Sequence, residues 1–168
     1  PTAADDSAVV AENGNVSIDV RANDDDIDSD DDASTLAVIA AEALTGAAAT
    51  DGLTVSYDAG TAFDGLALGE IATDLITYTI ADSHGALSSA TVAVTITGAN
   101  DGPTAADDVA SVAEGGTTSI SVLANDDDVD SDEDSSTLTV TTATSAGGAV
   151  HGGLGVAGGN LLYTVGAA

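Results

Sequence analysis

The sequence has no cysteine, methionine or tryptophan, and Arg21 is its only lysine or arginine. Without cysteine, disulfides, thiolate metal sites and cysteine nucleophiles are excluded. Its aromatic residues are Phe63 and three tyrosines, Tyr57, Tyr78 and Tyr163, which are too few to line the cleft that a glycoside hydrolase needs. A core therefore has to be built from Val, Ile, Leu, Ala and Thr, and burial alone stabilises each domain only thinly.

The charge of the chain is almost entirely of one sign, with 29 acidic residues and a formal net charge of -28. Such a chain repels nucleic acids and anionic membranes and attracts cations. Extreme acidity is typical of disordered segments. Here, however, 43% of the residues are hydrophobic, and ATVAVTITG (90–98) is strongly β-prone, so we predict a folded protein. Adaptation to salty surroundings is a second explanation of the charge, and it is compatible with metal binding.

The sequence contains a long internal repeat. Residues 1–38 align without gaps to residues 103–140 with 27 identities, which gives a period of 102 residues. Farther along, residues 55–62 correspond to residues 161–168. We therefore predict a complete domain over 1–102 and a second, truncated copy over 103–168. Neither a signal peptide nor a transmembrane run is present, and because the pattern begins within a repeat we expect a fragment of an exported protein.

Alternating hydrophobicity predicts short strands in the first copy. The alternation is clearest in ITYTIAD (76–82) and TVAVTIT (91–97), as expected for a sheet with one solvated face. For AEALTGAAAT (41–50) a loop or hairpin is predicted in preference to a helix, because it contains Gly46. Six or seven strands in about a hundred residues predict an all-β, immunoglobulin-like or cadherin-like Greek-key sandwich in each repeat. The predicted strands are Ala8–Ala11, Val16–Val20, Leu36–Ile39, Leu53–Tyr57, Leu75–Ile80 and Ala90–Thr97.

Each copy contains one run in which seven of nine residues are acidic, at 24–32 and at 126–134. Two carboxylates ~4 Å apart repel by roughly 1 kcal/mol in water and ~4 kcal/mol near a protein surface, and a divalent cation reverses this cost. Alternate residues of an extended loop project the same way, and a loop with only oxygen ligands selects calcium over zinc or copper. A solvated acidic loop is the alternative, but recurrence at one structural position favours metal. The predicted calcium ligands are Asp24, Asp26, Asp28 and Asp30, and in the second copy Asp126, Asp128, Asp130 and Asp132.

Other patterns indicate little chemistry. The acidic runs are not EF-hands, because Thr35 and Thr137 stand where a bidentate glutamate is needed. GGLGVAGGN (152–160) is predicted to be a glycine-rich hairpin and not a calcium-binding nonapeptide repeat. Ser83-His84 and His151 lack counterparts in the other copy and are interpreted as loop residues. No enzymatic activity is predicted.

Three segments carry a resemblance to a known family: the 38 residues 66–103 and the two ANDDDxDSD loops. They resemble the VCBS and cadherin-like repeats of long bacterial RTX-type adhesins. The resemblance implies a cadherin-like fold with calcium at the joint between successive domains. Leu68 departs from the cadherin pattern, in which an acidic residue stands two positions before the glutamate. The further ligands that the resemblance implies are Glu12, Glu70, Asp82, Asn100 and Asp101.

The predicted function is mechanical. Calcium-dependent extender repeats would form the stalk of an extracellular bacterial surface adhesin, with the linker Gly98–Pro103 stiffened by calcium. The predicted partners are neighbouring repeats of the same polypeptide, and another cell surface or a glycan reached through other domains, with no nucleic acid and no membrane insertion. Two alternatives remain open at this point: a carbohydrate- or cell-binding module, and a structural subunit of a surface layer or filament.

Overall fold

The computed structural model describes residues 1–144 and 152–166, so His151 lies outside the described residues. The chain divides into two compact units, Pro1–Asn100 and Asp101–Ala168. The described residues form ten β-strands and one short 3₁₀ helix, Val20–Asn23. The strands are β1 (Asp6–Ala11), β2 (Asn15–Ile18), β3 (Ala37–Ala43), β4 (Ala47–Thr50), β5 (Val55–Asp58), β6 (Ile71–Ala81), β7 (Leu87–Thr97), β8 (Thr117–Ile120), β9 (Gly152–Ala157) and β10 (Asn160–Val165).

Unit 1 is a seven-stranded sandwich, as the sequence predicts. One sheet has the order β1-β7-β6-β3 and the other the order β2-β5-β4. β1 runs parallel to β7, and all other pairs are antiparallel. The alternation in β6 places Ile76, Tyr78 and Ile80 in the core and Leu75 and Thr77 outside it. Because side chains alternate across a strand, a one-residue shift would expose this whole apolar set, so the pattern fixes the register.

The segment 41–50 differs from the prediction of a loop or hairpin. β3 pairs with β6 and β4 pairs with β5, so the bend between them crosses from one sheet to the other. The buried carboxylate of Asp74 in β6 holds this bend. It accepts hydrogen bonds from the Gly46 amide at 2.7 Å, the Thr45 amide at 3.1 Å and the Tyr57 hydroxyl at 2.9 Å. Burial raises the pKa of Asp74, but these hydrogen bonds outweigh it, and the net pKa lies below the usual value.

The second predicted strand is shorter than expected. It ends at Ile18, and the chain turns into the 3₁₀ helix that carries Arg21. The guanidinium donates hydrogen bonds to the carbonyls of Leu53, at 2.8 Å, and Leu36, at 3.0 Å. The Arg21 side chain therefore fixes the point where the acidic loop returns to the sheet.

Unit 2 contains one sheet of order β8-β10-β9 among its described residues. β9 and β10 form the glycine-rich hairpin that the sequence predicts, with φ of 59° at Gly158 and 79° at Gly159 in the two-residue turn. Segments 108–113 and 139–144 align with β1 and β3 but are not strands. In unit 1 the equivalent segments pair with β7 and β6, and the described part of unit 2 has no counterpart of either strand.

Candidate metal centre

The acidic loops have a defined backbone conformation in both units. In unit 1, Thr2 and Asp25 form an isolated antiparallel bridge, with the Thr2 amide 2.7 Å from the Asp25 carbonyl. At the far end, the Asp32 carboxylate accepts a hydrogen bond from the Ser34 amide at 2.8 Å. Unit 2 repeats this pattern with a bridge between Thr104 and Asp127. The sequence repeat therefore corresponds to one loop structure formed twice, which a merely solvated acidic run would not require.

In unit 1 this loop brings three carboxylates together. Asp26, Asp31 and Asp82 each offer an oxygen within 4.8 Å of the others. Asp26 and Asp31 are buried, and the Ser83 hydroxyl donates a hydrogen bond to Asp31 at 2.9 Å. Asp26 Oδ1 accepts a hydrogen bond from the Asp28 amide at 2.9 Å, so the backbone of the loop fixes the position of this carboxylate.

In unit 2 the equivalent loop gathers Asp128, Asp130 and Glu133, again with oxygens within 4.8 Å of one another. Asp128 is 7% exposed and Asp130 is 3% exposed. One oxygen of each carboxylate accepts a backbone hydrogen bond: Asp128 Oδ1 from the Asp130 amide at 3.1 Å, and Asp130 Oδ2 from the Asp101 amide at 3.0 Å. The other oxygens, Asp128 Oδ2 and Asp130 Oδ1, are buried without a hydrogen-bond partner. Burial and the neighbouring Asp128 charge raise the pKa of Glu133.

A buried, unpartnered carboxylate oxygen is costly, and two such oxygens in one cluster also repel each other. Calcium takes six to eight oxygen ligands and tolerates irregular geometry, so this donor set fits it. Asp128, Asp130 and Glu133 would hold the ion in unit 2, and Asp26, Asp31 and Asp82 in unit 1. Zinc prefers nitrogen and sulfur ligands, which the cluster of unit 2 lacks.

The remaining aspartates predicted from the acidic runs have other surroundings. Asp24 is buried, and its Oδ1 accepts hydrogen bonds from the Ala4 amide at 2.8 Å and the Tyr78 hydroxyl at 3.0 Å. Asp126 repeats the first of these contacts with the Ala106 amide, at 2.8 Å. Asp28, Asp30 and Asp132 are exposed, and Asp30 lies beside His84 and Asp31.

The family resemblance implied five further ligands. Except for Asp82 and Asp101, they lie at the end of unit 1 opposite the acidic loop. Glu12 is fully buried, and its Oε1 accepts a hydrogen bond from the Ala99 amide at 2.8 Å, whereas Oε2 has no hydrogen-bond partner. Glu70 Oε2 accepts a hydrogen bond from the Ala67 amide at 3.1 Å. Asn100 ends unit 1 and is exposed. Asp101 begins unit 2 and contributes its amide to Asp130.

Sequence reasoning missed two members of the clusters, Asp31 and Glu133. They occupy the same position in the two copies, where one copy has aspartate and the other glutamate. A carboxylate at this position in both copies was the signal that could have identified them. His84 was also interpreted only as a loop residue. Its Nδ1 lies 3.4 Å from Asp31 Oδ2, and hydrogen bonding to Asp31 raises its pKa. The second copy offers no counterpart from which this could be predicted.

Comparison with known proteins places these loops in a family context. A family model described as "Bacterial Ig domain" matches residues 1–95 and again residues 100–168. No curated protein sequence matches the chain. Within residues 1–144 and 152–166, no helix combines the length and apolar character needed to span a membrane.

Proposed function

This chain belongs to the bacterial Ig domain family, and we propose that it is a pair of calcium-stabilised spacer repeats from the stalk of a bacterial surface adhesin. Domains of this family are a structural, non-catalytic type and are common in bacterial surface proteins. The proposal goes further in assigning calcium, a VCBS- or RTX-like context and a mechanical role. Asp26, Asp31 and Asp82 would bind one ion, and Asp128, Asp130 and Glu133 another.

The observation that carries the proposal is the pair of buried, unpartnered oxygens Asp128 Oδ2 and Asp130 Oδ1. A folded domain keeps such oxygens only if something compensates for their loss of water. The chain offers little internal compensation, because its one lysine or arginine, Arg21, lies in unit 1. A cation from the medium would supply the positive charge that this cluster needs.

Unit 1 supports the same conclusion by comparison. Asp26 corresponds to Asp128 in the repeat, and its buried carboxylate lies close to those of Asp31 and Asp82. The same position of the repeat thus places a buried carboxylate in an acidic cluster in both units.

Calcium bound at these loops would couple the medium to the mechanics of the chain. Without the ion, the carboxylates of each loop repel and the loop destabilises its unit. With the ion, each unit gains about RT ln(1 + [Ca]/Kd), or roughly 2.7 kcal/mol at a hundredfold excess over Kd. Such repeats would be flexible where calcium is scarce and rigid in a calcium-rich exterior. This behaviour suits a stalk that is exported from a cell.

Thermal unfolding of chelator-treated protein tests the proposal. Calcium is expected to raise the midpoint by several degrees over buffer with EDTA. Sodium chloride at matched ionic strength is expected to recover only part of this gain, because screening weakens repulsion without supplying coordination. If sodium chloride recovers all of it, the loops are solvated acidic surfaces and the proposal is wrong.

A further inference from the structure

The outer face of the four-stranded sheet in unit 1 has an unusual composition for so acidic a chain. In three of its four strands, β1, β6 and β7, every second side chain points outward, beginning at Ser7, Ile71 and Leu87. These outward residues are threonine, serine, alanine, valine, isoleucine and leucine, without a single ionisable side chain. We call this surface the neutral face. Acidic residues stand at its two edges. On the fourth strand, β3, Glu42 points outward beside Thr77. At the other edge, Asp5 precedes β1, and its Oδ1 accepts hydrogen bonds from the Thr91 amide at 2.9 Å and the Thr91 hydroxyl at 2.8 Å.

The neutral face is continuous and exposes large apolar side chains. Residues paired across β1, β7 and β6 form rows on this face. One row is Val9, Thr95 and Thr73, and the next is Ala11, Thr97 and Ile71. Val9 is 69% exposed, Ile71 is 65% exposed and, in the row on the other side, Leu75 is 47% exposed. β7 lies between Val9 and the pair Ile71 and Leu75, so threonine and alanine side chains join these apolar residues into one surface. Exposed apolar patches of several hundred Å² on soluble domains mark interaction sites.

We propose that the neutral face of unit 1 packs against the neutral face of a second copy of this chain, so that neighbouring chains associate side by side. This is a binding activity beyond the proposed spacer role, and it does not rest on calcium at the acidic loops.

Charge identifies a second copy as the occupant. Each chain carries a formal charge of -28, and repulsion between copies reaches about 8 Å at physiological salt. Two copies approach with least repulsion through a surface that carries acids at its edges and none in its centre. A basic partner would instead gain most at the acidic loops, where the carboxylates are concentrated. Threonine methyl and hydroxyl groups on one neutral face complement the same groups on another, as an isologous interface requires.

The size of the neutral face sets the strength of the contact. β6 and β7 each have 11 residues. β1 has 6 residues and covers only half of that length. At ~3.3 Å per residue and ~4.8 Å between strands, the three strands cover about 450 Å² on each copy. Two copies would bury about 900 Å², in the range of weak, transient contacts and just below that of stable specific interfaces. A single pair should therefore be weak, and avidity would arise when many such units are aligned in tandem. The other sheet has four-residue strands and offers much less area.

Sedimentation equilibrium of the full chain, with calcium saturating and chain concentrations up to about 10⁻³ M, tests the proposal. The mass should rise with concentration toward a dimer, and added sodium chloride should strengthen the association by screening the net charge. Thr73→Glu and Val9→Glu place like charges opposite each other and should weaken dimerisation by about tenfold or more. Both positions are exposed, and circular dichroism verifies that each variant folds.

Ser56→Glu is the matched control, because it adds the same charge at an exposed position on β5 in the other sheet. It should leave dimerisation within about twofold of the parent chain. Dimers bridged by calcium between acidic loops would survive Thr73→Glu and would overturn the proposal. So would equal weakening by Ser56→Glu and Thr73→Glu, or a chain that stays monomeric and instead binds a neutral polysaccharide. Failure of calcium to stabilise the fold would affect only the spacer proposal.

Discussion

A carboxylate removed from water needs a partner for each oxygen, and at Asp128 and Asp130 the backbone satisfies only one oxygen of each. This residue-scale imbalance is the physical basis of the calcium proposal. The sequence predicted that acids converge in these loops and named Asp26, Asp128 and Asp130 among them, but it did not name Asp31 and Glu133. The extended-loop spacing fails because the chain turns, with the Asp31 amide donating to the Asp28 carbonyl at 3.2 Å. The turn brings Asp31, and not Asp30, to Asp26 and Asp82, and Glu133 repeats it in unit 2.

Replacing one of these carboxylates should have opposite effects with and without calcium. Asp128→Asn keeps the acceptor for the Asp130 amide but removes a buried charge. We expect calcium affinity in unit 2 to fall by about tenfold or more, and the melting temperature in EDTA to stay constant or rise. Asp107→Asn, an exposed position in the same unit, should change neither. Equal loss of calcium binding in both variants would show that only net charge matters.

The titration of Glu133 gives a second residue-scale prediction. Its pKa is raised, so protons compete with calcium at a higher pH than for an ordinary glutamate. Calcium affinity at unit 2 should therefore weaken as pH falls through this raised value. The stability of the calcium-free fold should change in the opposite direction and increase as pH falls. The reason is that a carboxyl group whose pKa is raised in the folded state favours folding on acidification. Isothermal titrations at several pH values check this prediction, and Glu133→Gln should remove most of the pH dependence. An unchanged pH profile in that variant would assign the effect to other groups.

At the scale of elements, the sequence predicted the strands that alternate strongly and missed the one that does not. β6 and β7 have regular apolar alternation, whereas β4 is AAAT, with no apolar pattern to reveal it. Its position depends on a distant residue, because Asp74 in β6 holds the bend that leads into it. A buried acid in an otherwise apolar strand gives no indication of which amides it will bind.

The Asp74 contacts should contribute measurably to the stability of unit 1. Asp74→Asn brings amide hydrogens toward the Gly46 amide and the Tyr57 hydroxyl, and we expect a loss of about 1–3 kcal/mol. Tyr57→Phe removes one bond and should cost about 1 kcal/mol. Because the folded pKa of Asp74 is depressed, its stabilisation is present above the unfolded pKa and is lost as pH falls through the folded value. Urea denaturation at a series of pH values measures this stabilisation. If the Asp74→Asn variant lost as much stability at low pH as the parent chain, the assignment to Asp74 would be contradicted.

Two glycines after β7 provide a matched test of packing at the base of unit 1. A Cβ at Gly98 would overlap the carbonyl oxygens of Ala67 and Leu66, which belong to the backbone and cannot rotate away. Gly98→Ala should therefore destabilise unit 1 by about 2 kcal/mol or more. A Cβ at Gly102 meets nothing within 4 Å, and Gly102→Ala should be neutral or slightly stabilising. Equal denaturation midpoints for the two variants would contradict the packing described here.

At the scale of the whole molecule, the repeat was the most informative feature of the sequence. A period of 102 residues predicted a sandwich in each copy, and the family match over residues 1–95 and 100–168 follows the same division. Long-range pairing could not be predicted in the same way. β1 and β3 form where β7 and β6 pair with them, and residues 108–113 of unit 2, which align with β1, do not form a strand.

The proposed stalk role predicts a calcium-dependent shape. A chain containing two complete copies of residues 1–102 should have a longer maximum dimension and a narrower distribution of shapes with calcium than with EDTA, as measured by small-angle scattering. The reason is that an ion ordering the acidic loop also orders the linker, through the Asp101 amide bound to Asp130. Equal dimensions in the two conditions would mean that ordinary packing holds the repeats and that calcium acts only within each unit.

Calorimetric titration of the chelator-treated chain with calcium tests the central claim most directly. We predict one ion for each unit, with a dissociation constant of about 10⁻⁴–10⁻³ M or tighter, as is common for extracellular modules. Asp128→Asn should remove the contribution of unit 2 and leave that of unit 1. An absence of binding heat at millimolar calcium, in protein verified to be folded, would contradict the account.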